Sequence, residues 1–193
     1  MTTTIDCGGT WVSIRPFARA DAVSVAEFAQ ALPENDLLFL SRDLKHARVI
    51  EAWLDAVNAG EIESLVATAY IAGNDVIVAT TAIVRDQLSW SPHVAEIRVL
   101  VSPDMRGKGL GRALLDASMA LARDGGATKL MARMTPDQRG AITLFEEAGF
   151  RGEAMLLDQV KARDGTLHDL AILSLDIGRS DAAHAAWRSD NAA

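Results

Sequence analysis

Several things are scarce in this 193-residue chain, and each scarcity excludes something. There is one cysteine, Cys7. A disulfide framework or a cysteine-built zinc cluster within the chain is therefore excluded, no metal ligands are expected, and a reducing cytoplasm is the natural compartment. No apolar run approaches the roughly 20 residues of a membrane span. The opening Met-Thr-Thr-Thr-Ile-Asp has no basic region followed by an apolar stretch, so neither a signal peptide nor a membrane partner is expected. Positive charge is in deficit, 19 Lys and Arg against 26 Asp and Glu, for a net charge of −7. That balance argues against nucleic acid as a partner and is at most a hint of a cationic substrate. Tyrosine occurs once, at Tyr70. Internal repeats and linker-like stretches are also missing. The expectation is one α/β domain over residues 1–177 with an alanine-rich tail, 178–193, that is a short helix or frayed.

What is present reads as alternating elements. Trp11 to Arg15 alternates as a short strand ending at Pro16. Asp21 is a candidate N-cap for a helix to about Leu32, and Pro33-Glu-Asn-Asp breaks it. A second helix is expected from about Leu44 to Ala59, stopped by Gly60. Ser64–Ala72 and Val76–Arg85 flank Gly73-Asn-Asp as a β-hairpin. Val94–Val101 is a strand, and a helix with Leu110, Ala113, Leu114, Ala117 and Leu121 on one stripe runs to Gly125-Gly126. Thr128–Met134 is a strand, and Ala141, Leu144, Phe145 and Ala148 mark a short helix. Two strands, about 150–162 and 167–177, meet at Asp164-Gly165, a two-residue turn signal.

The centre of the chain is Val99-Leu-Val-Ser-Pro-Asp-Met-Arg-Gly-Lys-Gly-Leu-Gly-Arg-Ala-Leu-Leu115, a strand leading through a glycine-rich turn into a helix. Backbone N–H groups and the helix dipole converge there on one spot, which suits an anion. Two nucleotide motifs fail on spacing. Gly-x-Gly-x-x-Gly would need glycine at Arg112 or Leu114, and a P-loop would need glycine at Ser102 and Ser or Thr after Lys108.

Arg106-Gly-Lys-Gly-Leu-Gly111 instead resembles the Gln/Arg-x-x-Gly-x-Gly/Ala signature of the GCN5-related N-acetyltransferase (GNAT) family. Ala141-Ile-Thr-Leu-Phe-Glu-Glu-Ala-Gly-Phe150 resembles that family's late helix, Asn-x-x-Ala-x-x-Leu-Tyr-x-x-x-Gly-Phe. The resemblance implies a mixed, mostly antiparallel seven-stranded sheet flanked by about four helices. It also implies acetyl-coenzyme A as co-substrate and transfer of its acetyl group to a primary amine, small-molecule or peptide, by direct attack in a ternary complex. Backbone groups of Val99, Leu100 and Val101 would meet the pantetheine arm, which requires the next strand to splay away. Met105, Arg106, Gly107, Lys108, Gly109, Leu110, Gly111 and Arg112 would cradle the pyrophosphate, with Arg106 and Lys108 adding charge; for Lys108 a solvated loop position is an equal alternative. A homodimer is a further possibility.

Glu96 stands where many members of the family place a base. A carboxylate in so apolar a strand is expected to have a raised pKa, and a simple pair with Arg98 is the alternative. Backbone N–H of Val99 or, in preference, Val101 is the candidate oxyanion donor. Phe145 departs from the pattern, for it replaces the tyrosine that donates a proton to the leaving thiolate, and it is expected to pack beside the cofactor. Ser102, His93 and His168 are weak substitutes, and Gln138 is the nearest match to the helix's asparagine. Leu37 to Arg42, Trp90 and Asp169 are candidates to line the acceptor site, with Trp53 assigned to the core. The missing acid keeps open a non-catalytic acyl-coenzyme A-binding sensor, and a larger acyl donor is a third alternative.

Overall fold

The computed structural model describes residues 2–177, so the expected tail lies outside the described residues. One sheet organises them, in the order β1 (Thr3–Asp6), β2 (Trp11–Pro16), β4 (Leu65–Ile71), β5 (Asn74–Val84), β6 (Val94–Val101), β7 (Lys129–Met134), β9 (Leu167–Asp176) and β8 (Arg151–Lys161). The two-residue β3 (Ile62–Glu63) pairs with β5 beside this path. Every pairing is antiparallel except β6 with β7. The described strands therefore number nine, not the expected seven. The additions are β1 and β3, both too short to show a period-2 pattern.

Four α-helices cover the faces: α1 (Ala22–Ala31), α2 (Ala47–Asn58), α3 (Leu110–Asp124) and α4 (Arg139–Glu147). One face of the sheet packs Ile77, Leu100 and Leu170 against Val25, Phe28, Ile50 and Leu54 of α1 and α2. The other packs Ile97, Leu130 and Leu173 against Leu115 of α3 and Phe145 of α4. Strand alternation decides this division: even-numbered side chains of β6 face α2, and odd-numbered ones face α3 and α4.

Asp21 does sit at the N-cap of α1, but its side chain makes no cap hydrogen bond. Its carboxylate accepts from the Ala18 N–H at 2.9 Å and pairs with Arg15 at 2.6 Å, which ties the helix to β2. Helix α2 begins at Ala47, three residues after the expected Leu44, which is instead buried in the preceding loop. In the β4–β5 hairpin Ile71 faces Asn74, so Ala72 (φ 50°) and Gly73 (φ 90°) are the two turn residues. Two positive φ values in succession describe a type I′ turn, placed one residue before the reading from Gly73-Asn-Asp. The β8–β9 connection is wider than the expected two residues. Ala162 donates its N–H to Thr166 C=O, so Arg163, Asp164 and Gly165 form the loop, with Gly165 at φ 91°.

Candidate active site

The site grows from a change in pairing. Strands β6 and β7 are in register only for Val94–Lys129, Ala95–Leu130 and Glu96–Met131. Beyond that point β6 runs on to Val101 and β7 to Met134 without pairing to each other, and the gap between them is a cleft. The splay expected from the resemblance is thus part of the fold.

Register also decides which backbone groups face the cleft. Ser102 donates its N–H to Val78 C=O at 2.9 Å, which fixes the phase of the β5–β6 ladder. Opposed residues in such a ladder alternate between exchanging both bonds and exchanging neither. Leu100, opposite Thr80, therefore spends its backbone groups on β5, while Val99 and Val101, opposite Thr81 and Ala79, turn theirs toward the cleft. This corrects the expectation for Leu100, whose side chain is buried under α1 and α2. The Val101 C=O accepts from Nε and Nη2 of Arg106, each at 3.3 Å, leaving its N–H as the last donor of the strand on that side.

After β6 comes a tight turn at Pro103–Met105, then Gly107 (φ 70°) and Gly109 (φ 84°), the latter serving as N-cap of α3. Both glycines hold a left-handed conformation that costs other residues about 1–2 kcal/mol. Gly111 is needed for closeness. A Cβ there would lie 3.2 Å from Leu144 Cδ2 and 3.8 Å from Val101 Cγ2, where α3 crosses α4 and β6. The amides at the start of a 15-residue helix thus open at the end of the cleft, an arrangement suited to a phosphate group.

Side chains of the turn are less engaged with that spot than the sequence suggests. Arg106 turns back to pair with Asp36 at 2.5 Å, and Arg112 pairs with Asp116 one helical turn away at 2.9 Å. Lys108 lays its stem over Gly8, whose absent Cβ would lie 3.5 Å from the lysine Cγ. Met105 and Leu110 are buried, so only their backbone can contribute. Phe145 is buried as well, edge-on to Phe150 with ring centroids 5.0 Å apart. Its ring packs in the core, a correction to the place beside a cofactor.

Glu96 brings the largest correction. Its Oε1 accepts from Nε of Arg98 (2.8 Å) and of Arg133 (3.1 Å), and its Oε2 accepts from their Nη2 atoms (3.2 and 2.6 Å). The side chain is 14% exposed. Burial by itself would raise the pKa, but the hydrogen bonds and charges of Arg98 and Arg133 outweigh it, and the carboxyl is held below the ordinary glutamate value. The expected raised pKa is thereby overturned, and the paired alternative is what the structure shows, with a second arginine added. Arg133, on the far side of the cleft's vertex, was missed in the sequence. Parity within Lys129–Met134 would have put it on the Glu96 face had the parallel register been known.

On the α2 face, a cavity of about 370 Å³ lies over β5 and β6. Leu40, Ser41 and Arg42 line it, whereas Leu37, Leu38 and Phe39 of the same candidate segment do not, Leu37 and Phe39 being buried in the core. Trp53 packs against the core under α1 and α2, as expected, and also lines this cavity; its indole N–H donates to Ser64 Oγ at 2.9 Å and its ring meets Phe17 at 4.8 Å. Trp90 stands fully exposed outside this cavity, and Asp169 accepts from the Asp158 N–H at 2.9 Å across β8 and β9.

Comparison with known proteins agrees with this geometry. Residues 27–150 match the model of the Acetyltransferase (GNAT) family. The chain is 34% identical over 85 residues to L-amino acid N-acyltransferase MnaT of Escherichia coli, covering 44% of this chain and 49% of that protein. It is 38% identical over 71 residues to mycothiol acetyltransferase of Geodermatophilus obscurus, 36% of this chain and 23% of that protein. The matches thus span half or less of the length of these curated relatives. In fold it resembles an acetyltransferase of Salmonella typhimurium solved with acetyl-coenzyme A, with a TM-score of 0.70 at 23% identity over 86% of this chain and 94% of that one. With a family match across well over half its length, and a cleft and glycine turn to go with it, this chain belongs to the acetyltransferase (GNAT) family.

Proposed function

We propose that the protein is an acetyl-coenzyme A-dependent N-acetyltransferase in which a primary amine attacks the thioester directly, in a ternary complex. The observation that carries this reading is the parallel pairing that stops at Glu96–Met131, leaving Val99 and Val101 turned into a cleft that ends at the glycine turn. The residues present fit the co-substrate. An extended amide-bearing arm can add to the edge of β6 as another strand would, and a pyrophosphate fits the α3 N-terminus. Acetyl-coenzyme A supplies the acyl group and a thiolate that can leave.

The chain's own part is positional and electrostatic. The Val101 N–H donates to the oxygen on which negative charge develops, a contribution worth about 3–4 kcal/mol where such donors have been removed elsewhere. The amine enters from the α2 face, its nitrogen bonds to the acyl carbon, and the carbon–sulfur bond breaks. Its proton passes to water, since Glu96 is already saturated by two guanidinium groups and held at a low pKa. Water also protonates the thiolate, because Phe145 carries no acid. Initial rates varied in both substrates should give intersecting reciprocal plots; parallel plots would contradict the ternary complex. In Glu96→Gln the acidic limb of the kcat/KM–pH profile should persist, and its loss would restore Glu96 as the base.

Phe145 favours one second reading, an acyl-coenzyme A-binding sensor that keeps the cleft without turnover. Binding of acetyl-coenzyme A with no amine-dependent thiol release would establish it. The names of the matched relatives differ in acceptor, so they do not choose one for this chain.

A further inference from the structure

The cavity beside β6 has a chemical bias. Leu40, Leu44, Val49, Trp53, Val84 and Leu100 make much of its wall apolar. Arg98 stands in that wall, and Arg42 enters from the loop above it. Among the described residues Arg42 has no ion-pair partner. The one acidic side chain in the lining, Glu61, is exposed in the connection between α2 and β3.

Arg98 is also pre-oriented. Its Nε and Nη2 are fixed by Glu96, Nη2 reaches Ser41 Oγ at 3.5 Å, and Nη1 has no hydrogen-bond partner among the described residues. Glu96 is shared with Arg133, so one negative charge faces two positive ones and the cluster keeps a net positive charge. A half-buried guanidinium with an unused edge, held rigidly over an apolar cavity, is suited to a carboxylate. It is unsuited to a polycation. Arg98 is adjacent in β6 to Val99, whose backbone faces the cleft, and one residue is a step of about 3.3 Å. A carboxylate on Arg98 would therefore hold an amine a carbon or so away, beside the part of β6 whose backbone faces the cleft.

We infer that the acceptor is an amine that also carries a carboxylate close to its nitrogen, an amino acid with an apolar side chain, and that Arg98 binds that carboxylate. In this assignment Arg98 is a specificity-determining residue, and Glu96 is a positioning residue that aims it. The inference rests on the acetyltransferase reading above and deepens it.

The test compares L-leucine, L-methionine and L-phenylalanine with their amides, which keep amine and side chain but lack the carboxylate. Acetyl-coenzyme A is saturating, and rates are referred to the neutral-amine fraction of each compound. The acids should show a KM at least about 10-fold below that of the amides, as expected for a charge-assisted hydrogen bond. In Arg98→Gln the acid-to-amide ratio should fall to about one, and in Arg98→Lys to an intermediate value. In Glu96→Gln the KM of the acids should rise several-fold while the KM of the amides stays put; a purely structural loss would move both. Equal KM values in the wild type, or a preference that survives both Arg98 variants, would overturn the inference. If Arg98→Gln fails to fold, the wild-type ratio and Arg98→Lys still decide. Acetylation of spermidine or other carboxylate-free amines with none of the acids overturns this inference and leaves acetyl transfer standing. No thiol release with any amine removes the underlying reading as well.

Discussion

At the scale of single residues, Glu96 shows how neighbours decide what a carboxylate can do. The strand around it is apolar enough to promise a basic carboxylate, yet the partners that reverse the shift are Arg98, two residues on, and Arg133, 37 residues on. Removing the charge leaves two half-buried guanidinium groups facing each other. Glu96→Gln is expected to lose about 1–3 kcal/mol at pH 7, below the full cost of breaking a buried pair because the partners retain some solvent. Chemical denaturation checks it. The sign with pH follows from linkage: the folded pKa lies below the ordinary 4.5, so the unfolded state takes up the proton first. The stabilisation from Glu96 is complete above about 4.5 and fades as pH falls through the folded value. Wild type and variant should therefore converge in stability on acidification, and a difference that grows below pH 4 would contradict the pairing.

At the scale of elements, the β6–turn–α3 unit carries the most weight. It was also the most legible in the sequence. The Val94–Val101 strand has the expected bounds, the glycines mark the turn, and Gly125-Gly126 marks the end of α3. Gly109→Ala must adopt φ near 84° with a side chain and should cost about 1–2 kcal/mol. It should also raise the Kd for acetyl-coenzyme A by titration calorimetry, whereas Gly152→Ala, at a site with open space, should leave that Kd alone. An unchanged Kd in Gly109→Ala would remove the turn from the binding site. What the sequence concealed were long-range facts. The segment after Pro33 read as a breaker, but it is a tie. Asn35 donates to Asp137 at 2.6 Å, Asp36 holds Arg106, and the Arg163 N–H donates to Glu34 at 2.8 Å. Those partners lie 70 to 129 residues away, beyond any local pattern. The fate of the arginine expected to face a pyrophosphate was set by Asp36, which no motif includes.

At the scale of the whole molecule, the sheet places two distinct openings around the C-terminal half of one strand. The β7 side of β6 faces the cleft that ends at the glycine turn, and the even-numbered side chains of β6 face the cavity under α2. Element order was readable from periodicity and punctuation, because β4 to β9 have clear strand patterns and short connections. The cavity was not, since it depends on Trp53 of α2 and Arg98 and Leu100 of β6 lining one space, residues more than 40 positions apart. No helix among the described residues is long and apolar enough to cross a membrane. Acetyl-coenzyme A at 100 times its Kd should stabilise the fold by about 2.7 kcal/mol, which for a chain of this size raises the melting temperature by about 5–10 °C. No shift would count against a built cofactor site.

The most direct test of acetyl transfer is the release of coenzyme A thiol from acetyl-coenzyme A, followed with and without a panel of primary amines. Release should depend on both enzyme and amine, rise to saturation with amine, and yield one acetylated amine per thiol. Release no faster with any amine than with water alone would contradict acetyl transfer.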